Sequence, residues 1–270
     1  MFSPRSPIYR GAWANLERAL VGTVLLFFIS CGPPPRFDRT PEDHELARLR
    51  AWMQTAPVRG WSGSGRARVE SADGDVEGKL TFVLDPPERA RVEVRASALF
   101  GMVGERVVVS IPGDAHVLIY RQRSDVLERI AFRESGLAQL TLNGAPRDLF
   151  ELVRGRPPWP GGSPPRHWAD RARLVERADG GRSLGFRIEL DDAHGAFVLR
   201  LRDGVLERLE FWTGPTRRLQ IDYDRWTRLG DRTQPMQIRV QAPQLDVKAE
   251  FEIDSLTPVE DFSERDFEVY

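Results

Sequence analysis

Hydrophobic residues recur along this chain with two periods, and the period changes near residue 60. Leu46, Leu49, Trp52 and Met53 fall at helical spacing behind Thr40-Pro41-Glu42-Asp43. That opening predicts a helix over 40–56, with Thr as N-cap, Pro in the first turn and acids at the positive end of the helix dipole. Pro57 stops it. Beyond Trp61 the apolar positions alternate: Leu80, Phe82 and Leu84, then Ala90, Val92 and Val94. Short apolar runs at 107–110 and 117–120 flank Pro112-Gly113-Asp114. Such alternation between turn residues predicts an antiparallel meander. A second helix is predicted over 147–154, because Leu149, Leu152 and Val153 share a face and Gly155 can close the last turn. The proline-rich stretch 157–165 reads as a connector.

Alternation resumes with Phe186, Ile188 and Leu190, then Phe197, Leu199 and Leu201. Asp203-Gly204 marks a hairpin before 206–212. Leu219, Ile221 and Tyr223 follow, then Ile238 and Val240, and finally Leu245, Val247, Ala249, Phe251 and Ile253. The count comes to roughly ten or eleven strands, with helices before the sheet and between its halves, which predicts an α+β fold rather than βαβ units. Gly60-Trp-Ser-Gly-Ser-Gly matches neither G-x-S-x-G nor a phosphate-binding loop. It reads as a mobile entry to the first strand.

The N-terminus follows neither period. Arg5, Arg10 and Arg18 precede an almost wholly apolar run, 19–29, that ends at the chain's single cysteine, Cys31. The run is shorter than the roughly 20 residues that span a bilayer. A lone thiol forms no internal disulfide and no metal pair. A basic segment, a short apolar segment and a small residue before the cut describe a secretory signal. Phe28-Ile29-Ser30-Cys31 resembles a bacterial lipobox, with Phe28 where Leu is usual. That resemblance implies residues 1–30 as a lipoprotein signal peptide, Cys31 as the lipidated residue and 31–41 as a proline-rich tether. Residues 42–270 then form the binding body. Gly32 lacks the Asp that retains such proteins at the inner membrane, so the implied location is the outer membrane, lipid-anchored and facing the periplasm.

Without residues 1–30 the chain has 36 basic and 39 acidic residues, a net charge of −3. That excludes the basic footprint of a nucleic-acid binder. His44, His116, His167 and His194 are scattered and show no metal-ligand spacing. No nucleophile–base pairing stands out, so the sequence predicts no catalytic residue, metal or cofactor, and a non-enzymatic protein. An enzyme using a carboxylate pair brought together only by folding is the remaining catalytic reading. The connection between 90–94 and 106–110 carries Leu99, Phe100, Met102 and Val103, although hairpin connections are ordinarily polar. Either it folds back on its own core or it is an exposed apolar tip that meets a membrane or ligand.

Taken in order, the lipobox, the short helix, Asp85-Pro-Pro-Glu-Arg-Ala-Arg-Val-Glu-Val, Leu99-Phe100-Gly101 and the helix ending Leu-Val-Arg-Gly-Arg-Pro-Pro resemble the LolA/LolB superfamily. The nearest likeness is to LolB-like outer-membrane lipoproteins. The resemblance implies one strongly curved antiparallel sheet, a half-barrel whose concave face is covered by helices and accepts lipoprotein acyl chains. It puts Leu99, Phe100, Gly101 and Met102 in a loop that contacts membrane or cargo. Alternation nominates Leu80, Phe82, Val92, Val94, Phe186, Ile188, Phe197, Leu199, Ile221 and Phe251 as cavity lining. The implied partners are acyl chains of lipoproteins or other lipids, outer-membrane lipid through the Cys31 anchor, and a LolA-like periplasmic carrier. The implied role is lipoprotein localisation or lipid transfer. The alternative is a structural or envelope-assembly lipoprotein that binds a protein partner or an envelope polymer on the same fold.

Overall fold

In the computed structural model, the described residues form thirteen antiparallel strands in one open sheet, in the order β6-β5-β4-β3-β2-β1-β13-β12-β11-β10-β9-β8-β7. The strands are β1 (Gly60–Ser71), β2 (Gly74–Asp85), β3 (Arg89–Ala96), β4 (Arg106–Pro112), β5 (His116–Arg121) and β6 (Val126–Ala131). After the crossing come β7 (Ala172–Ala178), β8 (Ser183–Glu189), β9 (Ala196–Arg202), β10 (Val205–Thr213), β11 (Thr216–Leu229), β12 (Arg232–Ala242) and β13 (Val247–Val259). The structure describes residues 39–54, 60–71, 74–86, 89–96, 106–112, 116–122, 125–135, 137–138, 141, 145–159, 164, 167–190, 195–229 and 232–269. All lie in the unit Arg36–Tyr270.

Two meanders run outward from a central seam, the pairing of the first strand with the last. Chain order is broken once, where the segment after β6 crosses to the far edge to begin β7. Helix α1 (Asp43–Gln54) precedes the sheet, and α2 (Pro146–Val153) lies within the crossing segment.

The strand count exceeds the expected ten or eleven because two strands lack a clean period. In β6, Val126 and Leu127 are adjacent, 41% and 42% exposed, as an edge strand permits. The other correction is β1. Gly60 to Gly65 is not a mobile entry but part of the paired strand, hydrogen-bonded to β2 on one side and β13 on the other. Its glycines serve close approach. A Cβ on Gly63 would lie 2.5 Å from the Phe82 ring, and one on Gly65 would lie 1.9 Å from the Glu252 carbonyl oxygen. Gly65 also sits at a bulge in the β1–β13 register.

Helix α1 begins later than the 40–56 expectation. The Glu42 N–H donates to the Glu45 carboxylate at 2.9 Å, so Glu42 rather than Thr40 ends the free segment. Buried Glu45 also accepts from Arg39 Nη2 at 2.6 Å. Arg39 in turn receives the Leu174 N–H at its carbonyl oxygen, 3.0 Å away, which satisfies part of the β7 edge. The final alternating stretch also starts later: Leu245 closes a 3₁₀ turn, Pro243–Leu245, and β13 begins at Val247.

One face of the sheet is polar. Arg208 Nε donates to Asp222 at 2.5 Å across β10 and β11, and Arg200 pairs with Glu176. The C-terminal segment packs on this face of β3 and β4, where Ser110 Oγ donates to the Phe267 carbonyl at 2.7 Å. The Arg89 guanidinium lies 4.7 Å from the Phe267 ring centre. Beside it Glu93, 5% exposed, accepts from Arg91, Arg95 and Arg106. Burial alone would raise the Glu93 pKa. Hydrogen bonds from Arg106 and Arg95 and the charges of Arg106 and Arg91 outweigh it and hold the group at about 2.

Two outcomes follow. Gly65→Ala forces a Cβ into the Glu252 backbone and should lower stability by about 2–3 kcal/mol, read as a reduced urea midpoint with unchanged slope. Glu93 has a folded pKa below its unfolded value, so its contribution is complete above the unfolded pKa and is lost as pH falls toward 2. Denaturant unfolding across that acid range should show a loss of about 3 kcal/mol that Glu93→Gln abolishes. An equal acid loss in the variant would refute the assignment.

Candidate functional site

Cross-strand register brings the alternating apolar residues to a single face. Phe186, Leu199, Leu209, Ile221, Val240, Ala249 and Val69 are consecutive partners from β8 to β1, across the seam. On the other side of the seam, Gly63, Phe82, Val92, Val109 and Ile119 are consecutive partners from β1 to β5. Residues directly opposed in a ladder project to the same side.

The face carries two apolar clusters. The first fills the β7–β12 half, where Leu46, Leu49 and Trp52 of α1 join Leu174, Leu184, Phe186, Ile188, Phe197 and Leu199. Trp159 meets Phe197 edge-on, with ring centres 5.3 Å apart. The second cluster, in the β1–β5 half, contains Trp61, Leu80, Phe82, Leu84, Ile111, Val117 and Phe132. Helix α2 joins them, because Leu152 belongs to the first, Phe150 to the second, and Val153 packs against both.

Side chains of the sheet hold the end of α2. Its last carbonyls have no partner within the helix. Tyr223 Oη donates to the Leu152 carbonyl at 2.6 Å, and Gln234 Nε2 donates to that of Val153 at 3.1 Å. Burial pushes the Tyr223 phenol well above its ordinary pKa. Gly155 then turns the chain with φ of +69°, and a Cβ there would lie 2.7 Å from the Trp226 ring.

The ten nominated lining residues divide between two environments. Leu80, Phe82, Phe186, Ile188, Phe197, Leu199 and Ile221 are buried, whereas Val92, Val94 and Phe251 are half-buried. Val107, Val109 and Ile119 share the half-buried state and stand in the same rows. The result is a stripe of Val92, Val94, Val107, Val109 and Ile119 across β3, β4 and β5, continuous with the buried Phe82 and Ile111. Strand β4 concealed its two members because Val107, Val108 and Val109 are alike in sequence. Only Ser110, on the face covered by the C-terminal segment, marks which way the strand is turned. The sequence-nominated Cys31, Leu99, Phe100, Gly101 and Met102 lie outside the described residues.

Among the described residues no group of three or more His, Cys, Asp or Glu side chains is placed to hold a metal ion. What the stripe offers is apolar area. Each CH₂ moved from water onto it contributes ~0.8 kcal/mol, whatever the chemistry at the far end of the chain.

No family model and no curated protein matches this chain. Among solved structures it is similar to a DUF1329 family protein from Desulfovibrio piger, with 11% identity over 85% of this chain and 98% of that one and a TM-score of 0.51. It is also similar to a candidate outer membrane lipoprotein-sorting protein domain from Vibrio parahaemolyticus, with 11% identity, 83% and 94% coverage and a TM-score of 0.49. A LolA superfamily protein from Nitrosomonas europaea gives 10% identity, 83% and 97% coverage and a TM-score of 0.47. At such identities the likeness is one of fold.

The two halves should respond differently to truncation. Phe197→Ala should cost about 3–5 kcal/mol, as for a fully enclosed aromatic. Val92→Ala, on the half-buried stripe, should cost about 1 kcal/mol. Urea unfolding of both variants checks this, and equal losses would mean that the stripe is core.

Proposed function

We propose that this chain is a non-catalytic envelope lipoprotein whose apolar sheet face accepts acyl chains of lipoproteins or other lipids. The observation that carries the reading is the half-buried stripe Val92, Val94, Val107, Val109 and Ile119, which runs unbroken into the buried cluster around Phe82. An acyl chain laid there replaces water on surface that the fold itself leaves partly uncovered. In this reading the open sheet curves into a half-barrel with its apolar face concave, and α1 and α2 cover that face. The reading is supported by the presence of α1 and α2 in the apolar clusters and by edge strands β6 and β7 that do not pair with each other.

The remaining parts of the reading come from sequence. Residues 1–30 act as the signal peptide, Cys31 carries the lipid anchor at the outer membrane, and 31–41 form the tether. The segment around Leu99, Phe100, Gly101 and Met102 meets membrane or incoming cargo. Transfer from a LolA-like carrier would need only a better-fitting face than the donor's. A second reading, an assembly lipoprotein that binds a protein partner or an envelope polymer, is favoured by the β7–β12 half, whose face is filled by its own side chains.

The deciding experiment is mass spectrometry of lipids that copurify with Arg36–Tyr270. Bound acyl chains are expected, and their loss in Val109→Trp would place them on the stripe. A lipid-free protein that binds no added fatty acid would overturn the reading in favour of the second. Phe100→Glu should leave the melting temperature nearly unchanged yet abolish vesicle binding by the same unit. A sharp fall in melting temperature would make Phe100 a core residue. Intact mass should show a lipid-modified Cys31 at the mature N-terminus.

A further inference from the structure

Four cations stand side by side on the polar face of the sheet. Register sets Arg66 against Lys79, Lys79 against Arg95 and Arg95 against Arg106, so one row crosses β1 to β4 with a basic residue at every step. Neighbouring strands are about 4.8 Å apart, and like charges directly opposed destabilise a sheet. The fold relieves only part of this repulsion. Glu93 accepts from Arg95 Nε at 2.6 Å and from Arg106 Nε at 2.9 Å. Arg95 nevertheless remains 68% exposed. Arg66 and Lys79 are exposed, and neither forms an ion pair with a described residue. The nearest acids in the register are Glu252, opposite Arg66 across the seam, and Glu77, in the neighbouring row opposite Arg68. Arg68 instead pairs with Glu70 at 3.0 Å. The row is therefore only partly compensated, four cations against Glu93 and Glu252, in a chain of net charge −1.

We propose that Arg66, Lys79 and Arg95 bind the phosphate headgroups of an anionic bilayer surface. Charge complementarity selects an anionic partner. The choice of a bilayer over an acidic protein rests on sequence continuity, because Arg95 and Arg106 bound a connection containing Leu99, Phe100, Met102 and Val103. Cations that flank an apolar stretch in sequence suit phosphate above hydrocarbon. The proposal rests on the acyl-chain reading only in taking a membrane as the working surface.

The test uses Arg36–Tyr270, which carries the whole sheet and both clusters, with vesicles of phosphatidylcholine alone or mixed with phosphatidylglycerol. Wild type should prefer the phosphatidylglycerol vesicles and lose that preference in high salt. Each cation near such a surface is worth about a fivefold change in partitioning, so Arg66→Gln with Lys79→Gln should weaken binding about 25-fold. Lys79→Gln should not lower the melting temperature, since Lys79 is opposed by Arg66 and Arg95, whereas Arg66 also faces Glu252. Lys79→Gln alone, expected to weaken binding about fivefold, serves if the pair folds poorly. Equal wild-type binding to both vesicles, or wild-type affinity in the variants, would overturn the proposal. Fatty-acid binding by the variants should match wild type. If wild type binds no fatty acid but still selects phosphatidylglycerol, the acyl-chain reading fails and the headgroup site stands.

Discussion

The pairing of β1 with β13 is the constraint on which the rest depends. Among the described strands it is the pairing that joins the two meanders, and its partners Ser64 and Ser255 are 191 residues apart in sequence. Such closure is costly in chain entropy, and the seam is built to repay it. Its ladder runs from Gly60 to Glu70 along β1. Gly65 lets the Glu252 backbone approach at a bulge, and Gly63 leaves room for the Phe82 ring. Without the seam each meander would have one more open edge, and the apolar face would be divided in two.

With the seam made, α2 can bridge both clusters. The sheet adds to the helix's own closing turn, because the Leu152 carbonyl accepts from Tyr223 of β11 as well as from the Gly155 N–H, and the Val153 carbonyl accepts from Gln234 of β12. The first cluster is closed by α1 and Trp159, whereas the second leaves Val92, Val94, Val107, Val109 and Ile119 half-covered. Half-buried apolar residues also occur in the first cluster, at Phe211, Trp226, Val240 and Val247, so the difference between the halves is one of degree. The polar face is uneven in a comparable way. The C-terminal segment buries Ser110, while the Arg66–Lys79–Arg95 row remains in water.

Strands with one buried face were legible because their period is two. Phe186, Ile188, Phe197, Leu199 and Ile221 lie on the apolar face that alternation groups them on. Strands that depart from this logic were harder to read. β4 is apolar on both sides because a C-terminal segment far along the chain covers its second face. β6 shows no clean period because Val126 and Leu127 are both exposed while Ile130 and Ala131 are both half-buried. β1 resembles a loop because its glycines answer to Phe82 and Glu252, which lie far away in sequence. The start of α1 was misplaced for a similar reason: Thr40-Pro41 is a sound local signal, but Glu45 bonded to Arg39 and to the Glu42 N–H sets the actual first turn.

The sequence by itself determined the class of element in most regions, β6 and the start of β1 excepted, together with the α+β order, the absence of a basic nucleic-acid footprint and the apolar character of one sheet face. These follow from local periodicity and composition, which need no knowledge of neighbours. Only the tertiary structure decided that β1 joins β13, that α2 bridges the clusters, and that Val109 is half-buried while Phe197 is sealed. It also decided that four cations share one row. Each of those facts is a relation between residues distant in sequence, and register, burial and charge opposition exist only once the strands are paired.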